Sequence, residues 1–341
     1  MRFFWFIMII LLYTLLNWQI GRQILDLVKI NKFIFWSIFA IIACSPIISR
    51  FGVKGLGAMG NYWMVFFYYA AFVAALGLVV KNKPFIIGSY VLIILLIVYG
   101  VLHARDIQVQ HYDIAIPKAG KDLHVVMLAD IHIDREKEKG YVAKMVREIN
   151  ALNPDMVLLT GDIFDDRDIN VLLREKETLK KIKAPYGVYG VLGNHEYYTG
   201  NLDKCLAIFK EADIRILRDE VVEAEGLYIV GREDASRKRK SLKELMKEVN
   251  REKPVILLDH QPVLLDEAKD SGVDLQLSGH THRGQFFPNQ LITRRIFEVD
   301  YGYLAKDSLQ VIVSSGYGTW GPPVRIGTQS EIVDIQLNFS K

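Results

Sequence analysis

"LHVVMLADIH", residues 123–132, is an apolar run that ends in two side chains able to bind a metal ion. We predict a strand over Asp122–Leu128, because a continuous run of aliphatic residues is typical of a strand buried on both faces. Asp130 and His132 follow it two residues apart, a spacing that places both side chains on one face of extended chain. The stretch therefore predicts a buried strand that presents a carboxylate and an imidazole to one point.

The same arrangement occurs four more times along the chain. The residues that follow the other apolar runs are Asp162, Asp165 and Asp166; Asn194, His195 and Glu196; Asp259 and His260; and His280 and His282. Each has a structural explanation by itself, such as a helix N-cap for Asp162 or a turn residue for Asn194. Five such ends indicate a shared site, because α/β folds place their sites at the carboxyl ends of their strands.

Strands and helices alternate from about residue 107 onward, which predicts an α/β domain. The predicted strands are Gln108–Ile116, Asp122–Leu128, Met156–Thr160, Gly187–Leu192, Gly226–Val230, Val255–Leu258, Leu275–Leu277, Gln310–Ser314 and Ile332–Leu337. The predicted helices are Tyr141–Leu152, Val171–Ile182, Leu202–Ala212 and Leu242–Val249, where apolar residues recur at helical spacing.

The first third of the chain is much more apolar than the rest. Four long stretches carry no charged residue: Phe3–Ile20, Phe33–Ser49, Asn61–Val80 and Phe85–Val101. Each has about the 17–25 residues that cross a bilayer as a helix, although a cleavable signal peptide is the alternative for the first. We predict a four-helix transmembrane domain at residues 1–104, a second domain at 105–341, and an integral protein of a bacterial cell membrane. An even number of spans puts both the N-terminus and the second domain on one side, which the balanced loop charges leave undetermined.

Net charge argues against a nucleic-acid-binding protein, and cysteine content argues against a disulfide-stabilised one. The formal net charge is only +3, too small to indicate nucleic acid as a partner. Cys44 lies in a predicted span and Cys205 in the second domain, so a disulfide between them is not expected. The sequence does not determine an oligomeric state.

The predicted ligand set favours particular metals. Imidazoles, carboxylates and an amide oxygen without thiolate suit Mn, Fe, Co or Zn and exclude a cysteine-based structural zinc. Two divalent ions need about seven or eight donors with one shared carboxylate, and such pairs activate water in phosphatases and nucleases. We expect two such ions, with Mn the most effective in vitro.

Taken in order, Asp130-x-His132, Gly161-Asp162, Gly193-Asn194-His195-Glu196, His260 and Gly279-His280-x-His282 resemble the motifs of calcineurin-like metallophosphoesterases. The C-terminal stretch "SSGYGTWGPPVRIGTQSEI" at 314–332 and the membrane-anchored layout further resemble a bacterial branch that includes lipid-processing members. The resemblance implies two packed mixed β-sheets flanked by helices, an αββα sandwich.

The resemblance also implies a role for each motif residue. One metal would be bound by Asp130, His132, Asp162 and His282, and Asp162 would bridge to a second metal bound by Asn194, His260 and His280. His195 would contact the phosphate and protonate the leaving oxygen, with Asp165 or Glu196 orienting its ring. The reaction would be in-line attack by a metal-bridging hydroxide, without a phosphoenzyme.

The substrate is less well specified than the site. Arg283 either binds a further phosphate or ester oxygen or faces solvent, and Arg232 and Arg325 are candidate phosphate contacts. Four spans favour a phospholipid, a lipid-linked phosphate or a pyrophosphate as substrate. The alternatives are a membrane-anchored enzyme for soluble substrates and a non-catalytic receptor or scaffold that binds a phosphorylated ligand.

Overall fold

The computed structural model describes residues 2–49 and 56–340, which form two compact units. The first unit comprises Met1–Leu102 with Gly321–Val324, and the second comprises His103–Trp320 with Arg325–Lys341. We describe each unit by itself.

The first unit is built from long apolar helices: α1 (Arg2–Leu25), α2 (Lys32–Ile48), α3 (Leu56–Leu76) and α4 (Lys83–Ala104). Within the described ranges, α1, α3 and α4 are long and apolar enough to cross a membrane. Helix α2 is also apolar but has 17 residues and contains Pro46, which places it at the short end of the spanning range. Three helices therefore meet the length expected of a span, where the sequence predicted four.

The second unit contains two six-stranded mixed sheets. The first sheet consists of β1 (Ile107–Ala119), β2 (Leu123–Leu128), β3 (Met156–Thr160), β4 (Val188–Val191), β5 (Ile214–Ile216) and β12 (Ser330–Ser340), in the order β1-β12-β2-β3-β4-β5. The second consists of β6 (Glu220–Ala224), β7 (Leu227–Gly231), β8 (Val255–Leu258), β9 (Leu275–Ser278), β10 (Gly302–Lys306) and β11 (Leu309–Val313), in the order β10-β11-β9-β8-β7-β6. Strands β2 to β5 are parallel to one another, as are β7, β8, β9 and β11, so their carboxyl ends lie at one edge of each sheet.

Helices cover the outer face of each sheet. The second unit contains α5 (Tyr141–Ala151), α6 (Asn170–Leu179), α7 (Asn194–Tyr198), α8 (Leu202–Glu211), α9 (Leu242–Leu245), α10 (Leu265–Ser271) and α11 (Gln290–Ile296). Residues of α5, α6 and α8 pack on the first sheet, and residues of α9 and α10 pack on the second. A third apolar cluster joins the two sheets face to face.

Strand β2 shows why this part of the sequence is continuously apolar. Val126 and Leu128 face the helices, whereas Val125 and Met127 face the other sheet. Both faces are excluded from water, so an alternating polar position is not tolerated. The predicted αββα sandwich is confirmed.

Candidate metal centre

Loops from both sheets bring the predicted ligands to one place. Asp130, Asp162 and Asn194 follow β2, β3 and β4 of the first sheet, and the histidines at 260, 280 and 282 follow β8 and β9 of the second. Asp130, His132, Asp162, His260 and His282 are all less than 8% exposed. The site is therefore a polar cluster between the ends of two sheets.

The backbone at this cluster is unusual. Asp130, His132, Asp162, His280 and His282 all have positive φ, between 47° and 72°. Left-handed backbone is uncommon for residues other than glycine and costs roughly 1–3 kcal/mol each. Such strain persists only where the surrounding structure enforces it, and it is characteristic of functional sites.

Gly161 is required by the close approach of two loops. Its φ is 87°, and a Cβ at this position would lie 2.6 Å from His260 Nδ1. Any side chain here would displace the imidazole. The glycine in the "GD" pair therefore allows His260 to approach Asp162.

One group of potential ligands contains Asp130, His132 and His282. His132 Nε2 lies 3.0 Å from His282 Nε2, and His282 Nε2 lies 3.6 Å from Asp130 Oδ1. Both oxygens of Asp130 also accept from the backbone N–H of His280, at 3.1 and 2.9 Å. These contacts fix the carboxylate while leaving its remaining lone pairs directed at the two imidazoles.

A second group contains Asp162, His260 and His280. His260 Nδ1 lies 2.7 Å from the carbonyl oxygen of Thr160. A carbonyl can only accept, so the neutral ring carries its hydrogen on Nδ1 and directs the Nε2 lone pair at Asp162 Oδ2, 3.2 Å away. Burial alone would lower the pKa of His260, but the charge of Asp162 outweighs it and raises that pKa well above its ordinary value, so a positive charge is favoured between these two atoms.

Asn194 supplies one further donor atom for a metal. Its side chain is 8% exposed, and its Oδ1 has no hydrogen-bond partner among the described residues. A buried amide oxygen without a partner is costly unless something else compensates for it. Together with the favoured place for a positive charge between His260 and Asp162, this orphaned oxygen shows that the residues present fit divalent metal ions.

The electrostatics of the two central carboxylates lead to the same conclusion. The pKa of Asp130 is raised to about 7, because burial and the nearby charge of Asp162 outweigh the lowering effect of His260. Burial alone would also raise the pKa of Asp162, but His260 and the other imidazoles outweigh it and lower that pKa. A buried carboxylate pair is unfavourable without compensating positive charge, which a divalent ion would supply.

His195 lies beside these groups and is held by Asp165. His195 Nδ1 is 2.8 Å from Asp165 Oδ1, while Asp165 Oδ2 is 3.3 Å from His132 Nδ1. Burial alone would raise the pKa of Asp165, but hydrogen bonds from the two imidazoles lower it to about 2. An ionised Asp165 therefore fixes the ring of His195 and leaves its Nε2, 4.0 Å from Asp162 Oδ2, on the open side of the site.

Glu196 has a different position from that of Asp165. Its side chain is fully buried and accepts from the backbone N–H groups of Phe164 and Gly193, at 2.9 and 2.8 Å. These bonds tie the loop after β3 to the start of α7. Of the two acids considered from the sequence, Asp165 contacts His195 and Glu196 holds the backbone.

We expect Glu196→Gln to destabilise the second unit by about 1–3 kcal/mol. The amide keeps one acceptor oxygen but turns an NH₂ group toward the second backbone N–H, which leaves that buried donor unsatisfied. The measurement is the thermal unfolding midpoint of the full chain in detergent. The exposed Glu177→Gln is the control, and an unchanged midpoint for Glu196→Gln would contradict the bracing role.

Two of the three predicted phosphate-binding arginines are buried and bind protein acceptors. Arg325 is fully buried and donates from Nη2 to the carbonyl oxygens of Ser315, Gly316 and Gly318. Arg232 is 3% exposed, with Nη1 3.0 Å from Glu267 Oε2. Both guanidinium groups are thus engaged by protein acceptors and neither lines the cleft, so their role as phosphate contacts stays a prediction.

Arg283 is half-buried and stacks on the ring of Tyr301, with its Cζ 4.4 Å from the ring centroid. Its backbone is left-handed, with a φ of 49°. It directly follows His282 in the chain, but the aromatic ring is the contact that the structure gives it. Arg283 stays a prediction as a substrate contact.

An open cleft of about 370 Å³ leads to the histidines. It is lined by Asp162, Asn194, His195, His280, Thr281, His282, Gly284, Gln285, Asn289, Ile292, Thr293 and Trp320. Sequence reasoning missed Ile292 and Thr293, because α11 carries no motif. The structure also places the ring of Trp320 6.4 Å from the ring of His195.

Comparisons with known proteins agree with this geometry. Residues 123–284 match the family model described as Calcineurin-like phosphoesterase. An uncharacterized metallophosphoesterase of Aquifex aeolicus is 36% identical over 256 residues, which cover 72% of this chain and 97% of that protein. An uncharacterized metallophosphoesterase of Helicobacter pylori is 35% identical over 237 residues, which cover 67% of this chain.

A further relative, from Danio rerio, is named a transmembrane protein with metallophosphoesterase domain. It is 29% identical over 264 residues, which cover 71% of this chain and 60% of that protein. The match to the Helicobacter pylori protein spans 64% of that protein's length. On the family match and the Aquifex aeolicus relative, this chain belongs to the calcineurin-like phosphoesterase family of metal-dependent phosphohydrolases.

Proposed function

We propose that this protein is a membrane-bound two-metal phosphoesterase that hydrolyses a phosphoester or pyrophosphate bond of a phospholipid or lipid-linked phosphate. The observation that carries the proposal is the convergence of buried acceptor atoms from both sheets. His260 Nε2 and Asp162 Oδ2 face each other at 3.2 Å, and Asn194 Oδ1 has no partner among the described residues. Cations bound among these atoms would satisfy their lone pairs.

The donors divide naturally into two sets that share Asp162. Asp130, His132, Asp162 and His282 would hold one divalent ion. Asp162, Asn194, His260 and His280 would hold the other. When bound, such a pair activates water and neutralises the phosphoryl oxygens; Mn, Fe, Co and Zn all suit these ligands.

His195 is proposed as the general acid. Asp165 holds its Nδ1 at 2.8 Å, so Nε2 is the nitrogen available to donate a proton to the leaving oxygen. Asp165 also raises the pKa of His195 against the opposing effect of burial, which favours the protonated form that an acid requires. Asp165 is therefore a positioning residue.

Direct attack of water on phosphorus is favoured over a phosphoenzyme. The hydroxyls in the cleft are already engaged: Thr281 Oγ1 donates to Asp300 O at 2.6 Å, and Thr293 Oγ1 donates to Asp300 Oδ2 at 2.6 Å. Thr281 faces a carbonyl oxygen, which cannot act as the general base that a nucleophilic hydroxyl requires, and the carboxylate that faces Thr293 belongs to Asp300, which does not line the cleft. Water is the nucleophile that the site accommodates.

A lipid-linked substrate is supported by two features. The cleft has apolar walls at Ile292 and Trp320 beside its polar floor. The same chain carries helices long and apolar enough to cross a membrane. A molecule with a phosphate and a hydrocarbon chain matches both features.

The test is hydrolysis by the full chain in detergent micelles, with Mn²⁺ added or chelated. Substrates are a phosphatidate, a diacyl phosphodiester and a polyprenyl pyrophosphate, beside soluble nucleotides. Metal-dependent turnover that prefers lipids supports the proposal, and turnover of nucleotides alone would assign a soluble substrate. Metal binding without turnover of any ester would indicate a receptor instead.

A further inference from the structure

Helix α11 (Gln290–Ile296) is inverted with respect to an ordinary surface helix. Its two uncharged polar residues are turned inward: Gln290 is buried and its Nε2 donates to the carbonyl of Ile326, and the Thr293 hydroxyl donates to Asp300. Its aliphatic residues are turned outward, with Leu291 and Ile292 each 56% exposed and Ile296 67% exposed. Water alone does not favour this arrangement, because it reverses the usual amphipathic pattern.

The outward face of α11 borders the cleft. Ile292 lines the cleft together with Trp320, whose indole is itself 55% exposed. We call Leu291, Ile292, Ile296 and Trp320 the apolar rim. An exposed apolar patch beside a binding site marks a surface that something else covers.

Two arginines identify what covers the apolar rim. Arg294 and Arg295 are both exposed on the same helix, and neither forms a salt bridge with an acid in the described part of the chain. Aliphatic and tryptophan side chains flanked by arginines are typical of elements that lie in the headgroup region of a membrane. Their positive charge is complementary to anionic lipid headgroups.

The chain itself brings this unit to a bilayer. Helix α4, one of the candidate spans, ends at Ala104, and β1 begins at Ile107. A unit joined to a span by so short a connection works beside lipid. A bilayer is therefore the occupant that both the charge and the chain connectivity favour over a second protein.

We propose that the apolar rim inserts into the boundary between the headgroups and acyl chains of an anionic membrane and admits a lipid phosphate to the cleft sideways. The hydrocarbon chain of the substrate would stay beside Ile292 and Trp320 while its phosphate reaches the histidines. The insertion stands by itself, whereas the admission of substrate rests on the proposed function. The two parts are tested separately.

Insertion is tested with an environment-sensitive fluorophore on Ile296→Cys, in the full chain with Cys44→Ser, reconstituted in nanodiscs of phosphatidylglycerol and phosphatidylcholine. The matched control carries the fluorophore on Leu173→Cys, an aliphatic residue of α6 that is 47% exposed. Doxyl-labelled lipid is expected to quench position 296 at least about twofold more than 173, because interfacial helices reach roughly 5–10 Å into the bilayer. Equal quenching at both positions would overturn the proposal, as would disulfide-linked dimers at position 296 without quenching.

Admission of substrate is tested with Leu291→Ser/Ile296→Ser, two exposed positions that do not line the cleft. Turnover of a lipid phosphate in nanodiscs is expected to fall about tenfold, the loss that corresponds to removing two aliphatic contacts from lipid. Turnover of a soluble chromogenic phosphate should be unchanged, which also shows that the variant is folded. An equal loss on both substrates would overturn the docking role. Quenching at 296 without hydrolysis of any lipid would support insertion and reject the lipid substrate.

Discussion

Asp162→Asn is expected to lower turnover of a chromogenic phosphate ester by about 1,000-fold, because removal of one member of a buried charge pair costs about 3–5 kcal/mol. Asp162 Oδ2 lies 3.2 Å from His260 Nε2 and 3.9 Å from His132 Nε2, so this carboxylate lies beside a member of each ligand group and is proposed to bind both ions. The amide keeps the shape of the side chain but loses its negative charge. The measurements are initial rates with Mn²⁺ and metal content per chain by mass spectrometry.

Asp168→Asn is the matched control for this variant. Asp168 lies in the same loop and accepts from the backbone N–H of Asn170 at 3.1 Å, a bond that an asparagine oxygen also accepts. Its turnover and metal content should equal those of the wild type. If Asp162→Asn retained full turnover and full metal content, the shared role of this carboxylate would be wrong.

His195→Ala should separate substrates by their leaving group. Loss of a general acid typically costs about 100- to 10,000-fold, and we expect a loss of this size for alkyl phosphates. A 4-nitrophenyl ester should lose far less, because 4-nitrophenolate leaves without needing a proton. The measurement is kcat for a matched pair of alkyl and 4-nitrophenyl esters.

Metal content distinguishes this role from that of a ligand. His195 also lies in a group with His132 and Asp162 whose potential ligand atoms are all within 4.8 Å of one another. A general acid can be removed without loss of metal, whereas a ligand cannot. His111 is an exposed histidine of β1 that pairs with Asp334 of β12. His111→Ala should leave both kcat and metal content unchanged. Equal losses for both esters, or a lower metal content, would refute the general acid assignment.

The central strands and the ligands behind them could be predicted from sequence because burial on both faces leaves a strong pattern. Strands β2, β3, β8 and β9 are continuous aliphatic runs, and the polar residues begin where each run stops. The runs for β4 and β7 also contain glycine or tyrosine but were found by their context. The residues that form this site can thus be identified from short stretches of sequence.

Other elements lack such a pattern. Strand β5 has three residues, and β5, β6 and β10 all contain charged residues, so they look like loops. Helices α10 and α11 have seven residues each, too few for a clear periodicity. The inverted polarity of α11 hides it further, because a sequence pattern does not say which face of a helix is inside.

The arginines show a different limit of prediction from sequence: the pattern does not reveal which groups a buried arginine binds. Arg325 stands in a glycine- and proline-rich loop, where a phosphate contact was a reasonable hypothesis. The structure instead uses it to bind the carbonyls of 315, 316 and 318, contacts that depend on how the loop folds back. Likewise Arg239, part of a basic run, donates to the buried Asp259 at 2.9 Å. Long-range partners of this kind leave no trace in the local sequence.

The origin of the ligands in two separate sheets has a consequence for the abundance of the protein. Asp130 and Asp162 belong to the first sheet, and His260 and His282 to the second, so a bound ion would cross-link the two halves of the sandwich. An ion present at a hundred times its Kd adds about 2.7 kcal/mol to the stability of the form that binds it. Metal starvation would then act twice, first on turnover and then on the lifetime of the folded chain, and the amount of enzyme in the cell would follow the supply of its metal.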